Sequence, residues 1–121
     1  MEVVDTSIFI DHLRGHRPAT DFFNSATELL FSALTEVELL TGKSCDNAEK
    51  REGILQFLKR WEKIEVDNPI AVIAGDLRRK HDITISDAII AATALVRKAT
   101  LLTRDVNDFK SIQGLTVRSL Y

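Results

Sequence analysis

Four acidic residues of this chain occur where a carboxylate could take part in catalysis: Asp5, Glu38, Asp87 and Asp105. Each stands beside an apolar segment and near small hydroxyl residues. Carboxylates brought together without a cation raise one another's pKa values, so an acidic cluster in a cleft usually binds a hard divalent metal ion. Because every ligand would be an oxygen atom, Mg²⁺ or Mn²⁺ is expected. Such an ion activates water and stabilises the attacking and leaving oxygens at a phosphorus centre, so the pattern predicts phosphoester hydrolysis.

Each of these acids also has an ordinary structural explanation. Asp5 and Asp87 could cap or begin a helix, and Asp105 could be a turn residue after a strand. Glu38 competes with Glu36, because residues two apart on a helix point about 200° away from each other and only one of them can join an internal cluster. Helical spacing alone does not choose between the two glutamates.

Alternating strands and helices must position the acids. The apolar runs predict strands at 2–4, 29–31, 64–66, 100–103 and 115–118. Helical periodicity and helix-end residues predict helices at 7–13, 19–24, 46–61, 69–79 and 86–98, and one more between Ser32 and Gly42. Strands separated by helices need crossover connections, which predicts an α/β fold with a central, largely parallel sheet and helices on both faces. The acid after the first strand then lies at the open carboxyl edge of the sheet, where such folds place their chemistry.

Length and composition indicate a soluble globular protein. The 121 residues, 45% of them hydrophobic and 28% charged, predict a single domain over residues 1–121. The only cysteine, Cys45, cannot form an internal disulfide and favours a reducing compartment. No basic region leads into a long apolar one at the start, so no signal peptide is expected. The longest apolar run, 88–96, is too short to span a bilayer, so we expect a cytoplasmic protein with no membrane association.

The charge distribution permits RNA as a partner without requiring it. The formal net charge is −2, whereas proteins that bind nucleic acid usually present a basic surface. If a metal ion neutralised the four acids, the charge of the remainder would become slightly positive. Arg14, Arg17 and Arg104 are the candidate RNA contacts, although solvated helix ends and surface arginines account for most such charges.

Four short segments occur in order along nearly the whole chain. They are VVDTS at 3–7, ELLTG at 38–42, SDAIIAA at 86–92 and LLTRDVNDF at 101–109. Together they resemble the segments of a PIN-domain protein of the VapC toxin type. The resemblance implies the PIN-domain fold, an endoribonuclease that depends on Mg²⁺ or Mn²⁺, and a role in a type II toxin–antitoxin system. It also implies a cognate VapB-type antitoxin that occupies the acidic cleft, and a homodimer formed through helices in the region of 46–61.

The resemblance assigns three of the acids directly. Asp5, Glu38 and Asp87 match the acidic positions of the family, which implies that they bind the metal ion and position the attacking water. The resemblance also selects Glu38 over Glu36, because Glu38 is the acid that precedes Leu-Leu-x-Gly. Under this assignment Glu36 should face solvent.

The fourth acidic position of the family varies between Asp and Asn. This chain offers Asp105, Asn107 and Asp108 in the matching segment, and Asp105 is preferred because it follows the Thr-Arg pair most directly. Asp108 remains the alternative. Ser7 and Thr103 resemble the hydroxyl positions that support the acids or the water around the metal ion, although either could be an ordinary cap or turn residue.

Two other classes of protein are compatible with parts of the pattern. A phosphatase of the haloacid dehalogenase class would need Asp-x-Asp after the first strand, and Asp5-Thr6-Ser7 lacks the second Asp. A non-catalytic, PIN-like module that binds RNA or protein would share the fold. The presence of all four acids disfavours a non-catalytic module. Metal binding would discriminate between such a module and the enzyme.

Overall fold

The computed structural model describes all residues 1–121. Its strands are β1 (Glu2–Val4), β2 (Leu30–Ser32), β3 (Glu62–Ile64), β4 (Thr100–Thr103) and β5 (Val117–Ser119). Its helices are α1 (Thr6–Leu13), α2 (Arg17–Ser25), α3 (Ala33–Thr41), α4 (Ala48–Leu58), α5 (Asn68–Lys80) and α6 (Ile85–Arg97), with short 3₁₀ helices at Lys43–Asp46 and Val106–Asp108. One sheet has the order β3-β2-β1-β4-β5, and every pairing is parallel. The predicted α/β architecture is confirmed. None of the helices combines the length and apolar character needed to cross a bilayer.

The sheet separates two apolar clusters. Successive side chains of a strand point to opposite faces, so Val3 and Val4 of β1 enter different clusters. Val3 packs with Ile90 and the rest of the α5–α6 layer. Val4 packs with Phe9 and Phe23 of the layer formed by α1, α2 and α4. Because both faces are covered, β1 and β4 at the centre of the sheet are held rigidly, and so are the residues that follow them.

Hydroxyl caps define the start of the two helices that carry predicted acids. Ser32, the last residue of β2, accepts a hydrogen bond from Leu34 N at 3.1 Å, as predicted for an N-cap of α3. Thr84 caps α6 by accepting from Asp87 N at 3.0 Å. The caps fix the first turn of each helix, and therefore the direction in which Glu38 and Asp87 leave the backbone.

The sequence misplaces the edge strands by about two residues. β3 was expected at 64–66 and β5 at 115–118, whereas they span Glu62–Ile64 and Val117–Ser119. Glu62 and Lys63 are exposed on the edge strand, so their polar side chains hide it from a search for apolar runs. Val66, which the apolar pattern included, lies beyond the sheet and is 41% exposed.

The long helix is shorter than expected at both ends. α4 begins at Ala48, where Asn47 caps it by accepting from Lys50 N at 2.9 Å, and Lys43–Asp46 form a separate 3₁₀ turn. It ends at Leu58, because the chain must turn into β3 at Glu62. Trp61 lies in that turn and is buried in the core beside Phe23.

Candidate active site

All of the predicted acids lie on segments that leave the carboxyl edge of the sheet. Asp5 directly follows β1, and its N–H donates to Leu102 O of β4 at 2.9 Å. Asp105 lies just after β4, Glu38 lies on α3 after β2, and Asp87 lies in the first turn of α6. Four separate chain segments therefore bring their carboxylates to the same edge.

Asp5 is the most buried of these acids, with only 5% of its surface exposed. Ser7 Oγ donates to Asp5 Oδ2 at 2.9 Å, and Thr103 Oγ1 donates to the same oxygen at 2.7 Å. Burial raises the pKa of Asp5, and these hydrogen bonds offset only part of that effect. The carboxylate makes no capping hydrogen bond to α1, so the simple helix-cap explanation does not account for this aspartate.

The two hydroxyl groups also fix the segment that follows β4. Ser7 Oγ accepts from Arg104 N at 3.2 Å, and Thr103 Oγ1 accepts from Asp105 N at 3.0 Å. Each hydroxyl thus donates to Asp5 and accepts from the backbone, which uses its only proton and leaves its orientation fixed. The start of α1 and the exit of β4 are joined around the Asp5 carboxylate.

Glu38 faces the site and Glu36 does not. Thr6 Oγ1 donates to Glu38 Oε1 at 2.7 Å, and the Thr6 and Thr35 hydroxyl oxygens lie 2.9 Å apart. Because Thr6 has only one proton and gives it to Glu38, Thr35 is the donor in that second bond. Glu36 instead pairs with Lys63 at 3.3 Å near the surface. The two glutamates point in different directions, as residues two apart on a helix must.

The half-buried Asp87 shows how close the acids are to one another. Its pKa is raised from 3.8 to about 6, mainly by desolvation and in addition by the neighbouring charges of Asp5, Asp108 and Glu38, against the hydrogen bond from Thr84. Like charges produce such an effect only at short range, because water screens more distant ones. Asp87 is therefore the member of the cluster on which the other charges converge.

The two candidates for the fourth acid lie on opposite sides of the same short turn. Asp108 N donates to Asp105 O at 3.0 Å, at the 3₁₀ helix that follows β4. Asp105 is half-buried and its charge contributes to the raised pKa of Asp5, whereas Asp108 is exposed and its charge acts on Asp87. Asp105 Oδ1 also lies 3.6 Å from Arg104 Nε. Both carboxylates border the site, and the choice between them stays open.

Sequence reasoning missed a second buried carboxylate next to the site, besides that of Asp5. Asp11 on α1 is 8% exposed, and Arg104 Nη1 donates to its Oδ1 at 2.6 Å. The hydroxyl group of Tyr121 donates to its other oxygen. The available signal was its spacing, because Ser7 and Asp11 are four residues apart and lie on one face of a helix whose other buried residues are mostly apolar.

Two of the three candidate RNA contacts lie away from the acids. Arg14 and Arg17 are exposed beyond the far end of α1, an eight-residue helix about 12 Å long that starts at the site. Arg17 pairs with Asp21 at 3.8 Å. Only Arg104 reaches the rim of the acidic edge. A cavity of about 720 Å³ lies at the opposite edge of the sheet and includes none of the predicted catalytic acids.

The donor set at the carboxyl edge suits a hard divalent cation. All candidate ligands are carboxylates, supported by hydroxyl groups, and their mutual repulsion is relieved when a cation is bound. No group of three or more acidic, histidine or cysteine side chains is already arranged around a common point. The three histidines lie elsewhere: His12 stacks on Phe57, His16 packs on Tyr121, and His81 is near Ser111.

Known proteins are similar to this chain in sequence and in fold. The family model described as PIN domain matches residues 3–115. Ribonuclease VapC19 of Mycobacterium tuberculosis (strain ATCC 25618 / H37Rv) is 35% identical over 124 residues, which cover 95% of this chain and 97% of that protein. Ribonuclease VapC1 of Rickettsia felis is 34% identical over 126 residues, covering 95% and 92%. A solved toxin–antitoxin complex from Klebsiella pneumoniae contains a chain with a TM-score of 0.86 and 27% identity, over 100% of this chain and 98% of that one.

The chain therefore belongs to the PIN-domain family, among the proteins of the VapC type. The resemblance drawn from the four sequence segments is confirmed, and so is the fold that it implies.

Proposed function

We propose that this protein is an endoribonuclease that depends on Mg²⁺ or Mn²⁺, and that it is the toxin of a VapBC-type toxin–antitoxin pair. The observation that carries the proposal is the proximity of Asp5, Glu38 and Asp87, with Asp105 and Asp108 beside them, at the carboxyl edge of a parallel sheet. The names of the ribonuclease relatives support RNA as the substrate.

Asp5, Glu38 and Asp87 would hold the metal ion as its main ligands, with Asp105 as the fourth and Asp108 as its alternative. When bound, the ion supplies a water molecule of lowered pKa and stabilises the charge that develops on the phosphodiester. The raised pKa of Asp87 supports this role, because a carboxylate that is costly to ionise alone gains most from a cation.

The surrounding hydroxyl groups orient these ligands. Ser7 and Thr103 fix one oxygen of Asp5 from two directions. Thr6 fixes Glu38, and Thr35 in turn supports Thr6. Partners of this kind hold a ligand in its binding orientation and are worth about 10- to 100-fold in metal affinity or activity.

The proposed protein partners are a VapB-type antitoxin and a second copy of this chain. A toxin–antitoxin complex among the similar structures supports the antitoxin, which would cover the acidic edge. The resemblance implies a homodimer through the region of 46–61, but no large apolar side chain is exposed there. Exposed apolar residues on and beside α5 and α6, namely Val66, Val72 and Ile85, offer a better surface for a homodimer. Light scattering on the purified chain would give its mass in solution, and a monomeric mass would exclude the homodimer.

The decisive experiment is cleavage of a panel of structured RNAs with Mg²⁺ or Mn²⁺ and with EDTA. We expect the wild type to cut only in the presence of the metal ion, and Asp5→Asn to lose activity by at least about 100-fold. Asp46→Asn is the matched control, because Asp46 is exposed on the 3₁₀ helix after α3 and forms no ion pair.

Two results would contradict the proposal. Equal cleavage by Asp5→Asn and the wild type would refute the assigned site. RNA binding without cleavage by the metal-loaded wild type would instead favour the non-catalytic RNA-binding module.

A matched pair of variants distinguishes the candidates for the fourth ligand. Asp105→Asn is expected to weaken Mn²⁺ binding by about tenfold or more, and Asp108→Asn to change it less, because Asp108 is the more exposed. Calorimetric titration of both variants measures this difference. A larger loss in Asp108→Asn would reverse the assignment.

A further inference from the structure

A chain of hydrogen bonds and ion pairs runs from the acidic cluster to Tyr121. Ser7 Oγ, which donates to Asp5, accepts from Arg104 N. The guanidinium of Arg104 donates from Nη1 to Asp11 at 2.6 Å. The Tyr121 hydroxyl donates to the other oxygen of Asp11. Ser7 therefore fixes the backbone of Arg104, and Asp11 fixes its guanidinium group. Asp11 is in turn held by the Tyr121 hydroxyl.

The anchor of Arg104 is buried, whereas its head group is partly open. The side chain of Asp11 is 11% exposed and that of Arg104 is 43% exposed. Partial burial and the hydrogen bond to Asp11 raise the pKa of Tyr121, so its hydroxyl remains a donor at neutral pH. Arg104 Nη2 makes no hydrogen bond to the protein, although Nη1 binds Asp11 and Nε lies near Asp105. A donor edge of a positioned guanidinium thus remains free at the rim of the site.

A free guanidinium edge in this position suits a phosphate group. Arginine presents its donors as a planar fork that matches phosphate oxygens, and a guanidinium already held in place loses little side-chain entropy on binding. A partly exposed ion pair by itself contributes little to stability. A purely structural role could explain why Asp11 is buried and paired, but it gives no reason for the exposed donor edge of Arg104.

We propose that Asp11 and Tyr121 are positioning residues that hold Arg104 to bind a backbone phosphate of RNA next to the acidic cluster. This inference rests on the proposed ribonuclease function. It adds Arg104 as a residue that binds the substrate, and Asp11 and Tyr121 as residues that act through Arg104. The bond between Ser7 and Arg104 N sets the distance between this phosphate contact and Asp5.

The test is binding of a fluorescein-labelled single-stranded RNA oligonucleotide in EDTA, where no cleavage occurs. Arg104→Gln is expected to weaken binding by about tenfold, as the loss of a charged hydrogen bond does, and to lower the slope of log affinity against log salt by about 0.7. Tyr121→Phe, which changes no charge, is expected to weaken binding several-fold. Arg97→Gln is the matched control, because Arg97 pairs with Glu62 at the opposite edge of the sheet and its loss should leave affinity unchanged.

Asp11→Asn separates positioning from simple electrostatics. Removal of a negative charge would by itself raise the affinity for a polyanion, whereas loss of the anchor of Arg104 lowers it. We expect lower affinity in Asp11→Asn, and no further loss when it is combined with Arg104→Gln, because the two act through the same contact. Under Mn²⁺ turnover, KM should rise more than kcat falls, and Mn²⁺ affinity in calorimetry should not change.

The outcomes distinguish this inference from the function on which it rests. A wild type that cleaves RNA while Arg104→Gln and Tyr121→Phe bind as tightly as the wild type would overturn the positioning role alone. Additive losses in the double variant would also overturn it. A wild type that neither binds nor cleaves RNA would remove both proposals. Tyr121→Phe keeps the test valid if Asp11→Asn fails to fold.

Discussion

Among single residues, the half-buried carboxyl group of Asp87 connects stability to pH. Its pKa is about 6 in the folded protein and 3.8 in its ordinary range, so the folded state retains a proton that the unfolded chain releases. The contribution of Asp87 to stability should therefore be most favourable below about pH 4, fall as the pH rises to about 6, and stay lower at neutral pH. In the metal-free protein the ionised Asp87 carboxylate is destabilising because it is desolvated and lies near other negative charges. A bound cation would neutralise this repulsion.

Replacement of this group should increase stability while it removes function. We expect Asp87→Asn to raise the Tm of the metal-free protein at pH 7 by a few degrees, because an amide carries no charge to desolvate or repel. Thermal melting in EDTA measures the effect, and Asp46→Asn should leave the Tm unchanged. A lower Tm for Asp87→Asn would show that the charge of Asp87 does not destabilise the folded protein.

Metal affinity should also depend on the ionisation of Asp87. A cation must displace the proton of any protonated ligand, so Mn²⁺ affinity should rise about tenfold per pH unit below about 6 and level off above it. Calorimetric titrations on either side of that pH measure the change. In Asp87→Asn this pH dependence should largely disappear along with most of the affinity, and a pH dependence unchanged in that variant would assign the titration to another group.

Among the elements, the contact between α1 and β4 is the one on which the site depends. Thr103 ends β4 and donates to Asp5, while its oxygen receives Asp105 N, so one hydroxyl joins two acid-bearing segments. We expect Thr103→Val to weaken Mn²⁺ affinity or RNA cleavage by about 10- to 100-fold, because the Asp5 carboxylate loses an orienting donor.

A second buried threonine provides the control for this variant. Thr93 is fully buried on α6, and its hydroxyl bonds only to Ile89 O within the same helix. Thr93→Val is expected to lower stability modestly and to leave metal affinity intact. If both valine variants lost metal affinity equally, the role of Thr103 would be packing rather than orientation.

The elements also show which parts of the fold the sequence could predict. β1 and β4 at the centre of the sheet each contain two consecutive, fully buried apolar residues and were predicted with the observed bounds. The edge strand β3 begins with exposed Glu62 and Lys63, so only its pairing with β2 reveals it. Central strands are buried on both faces, so their own apolar residues predict them. The bounds of an edge strand depend on its pairing with the neighbouring strand, which its own sequence does not show.

At the scale of the whole molecule, the site is predictable as a set of acids but not as a set of contacts. The order of the segments and the parallel topology place Asp5, Glu38, Asp87 and Asp105 at one edge of the sheet, and their roles stay a prediction. Asp11 was missed because its importance comes from Arg104, which is 93 residues away in sequence. Such a pairing depends on tertiary structure, and the local pattern of α1 offers only an acid on a buried face.

The whole molecule should also respond to the metal ion as one cooperative unit. Because the acids come from four segments around the central strands, an ion that binds only the folded state stabilises the entire domain, by about 2.7 kcal/mol when its concentration is 100 times Kd. We therefore expect Mn²⁺ to raise the Tm of the wild type by several degrees at neutral pH and much less in Asp5→Asn. Melting curves with increasing Mn²⁺ test this. The metal-free protein in EDTA is the reference, and Asp46→Asn should behave as the wild type. A shift of equal size in Asp5→Asn would mean that the ion binds elsewhere, since no cation held by the cluster could be indifferent to the loss of its most buried carboxylate.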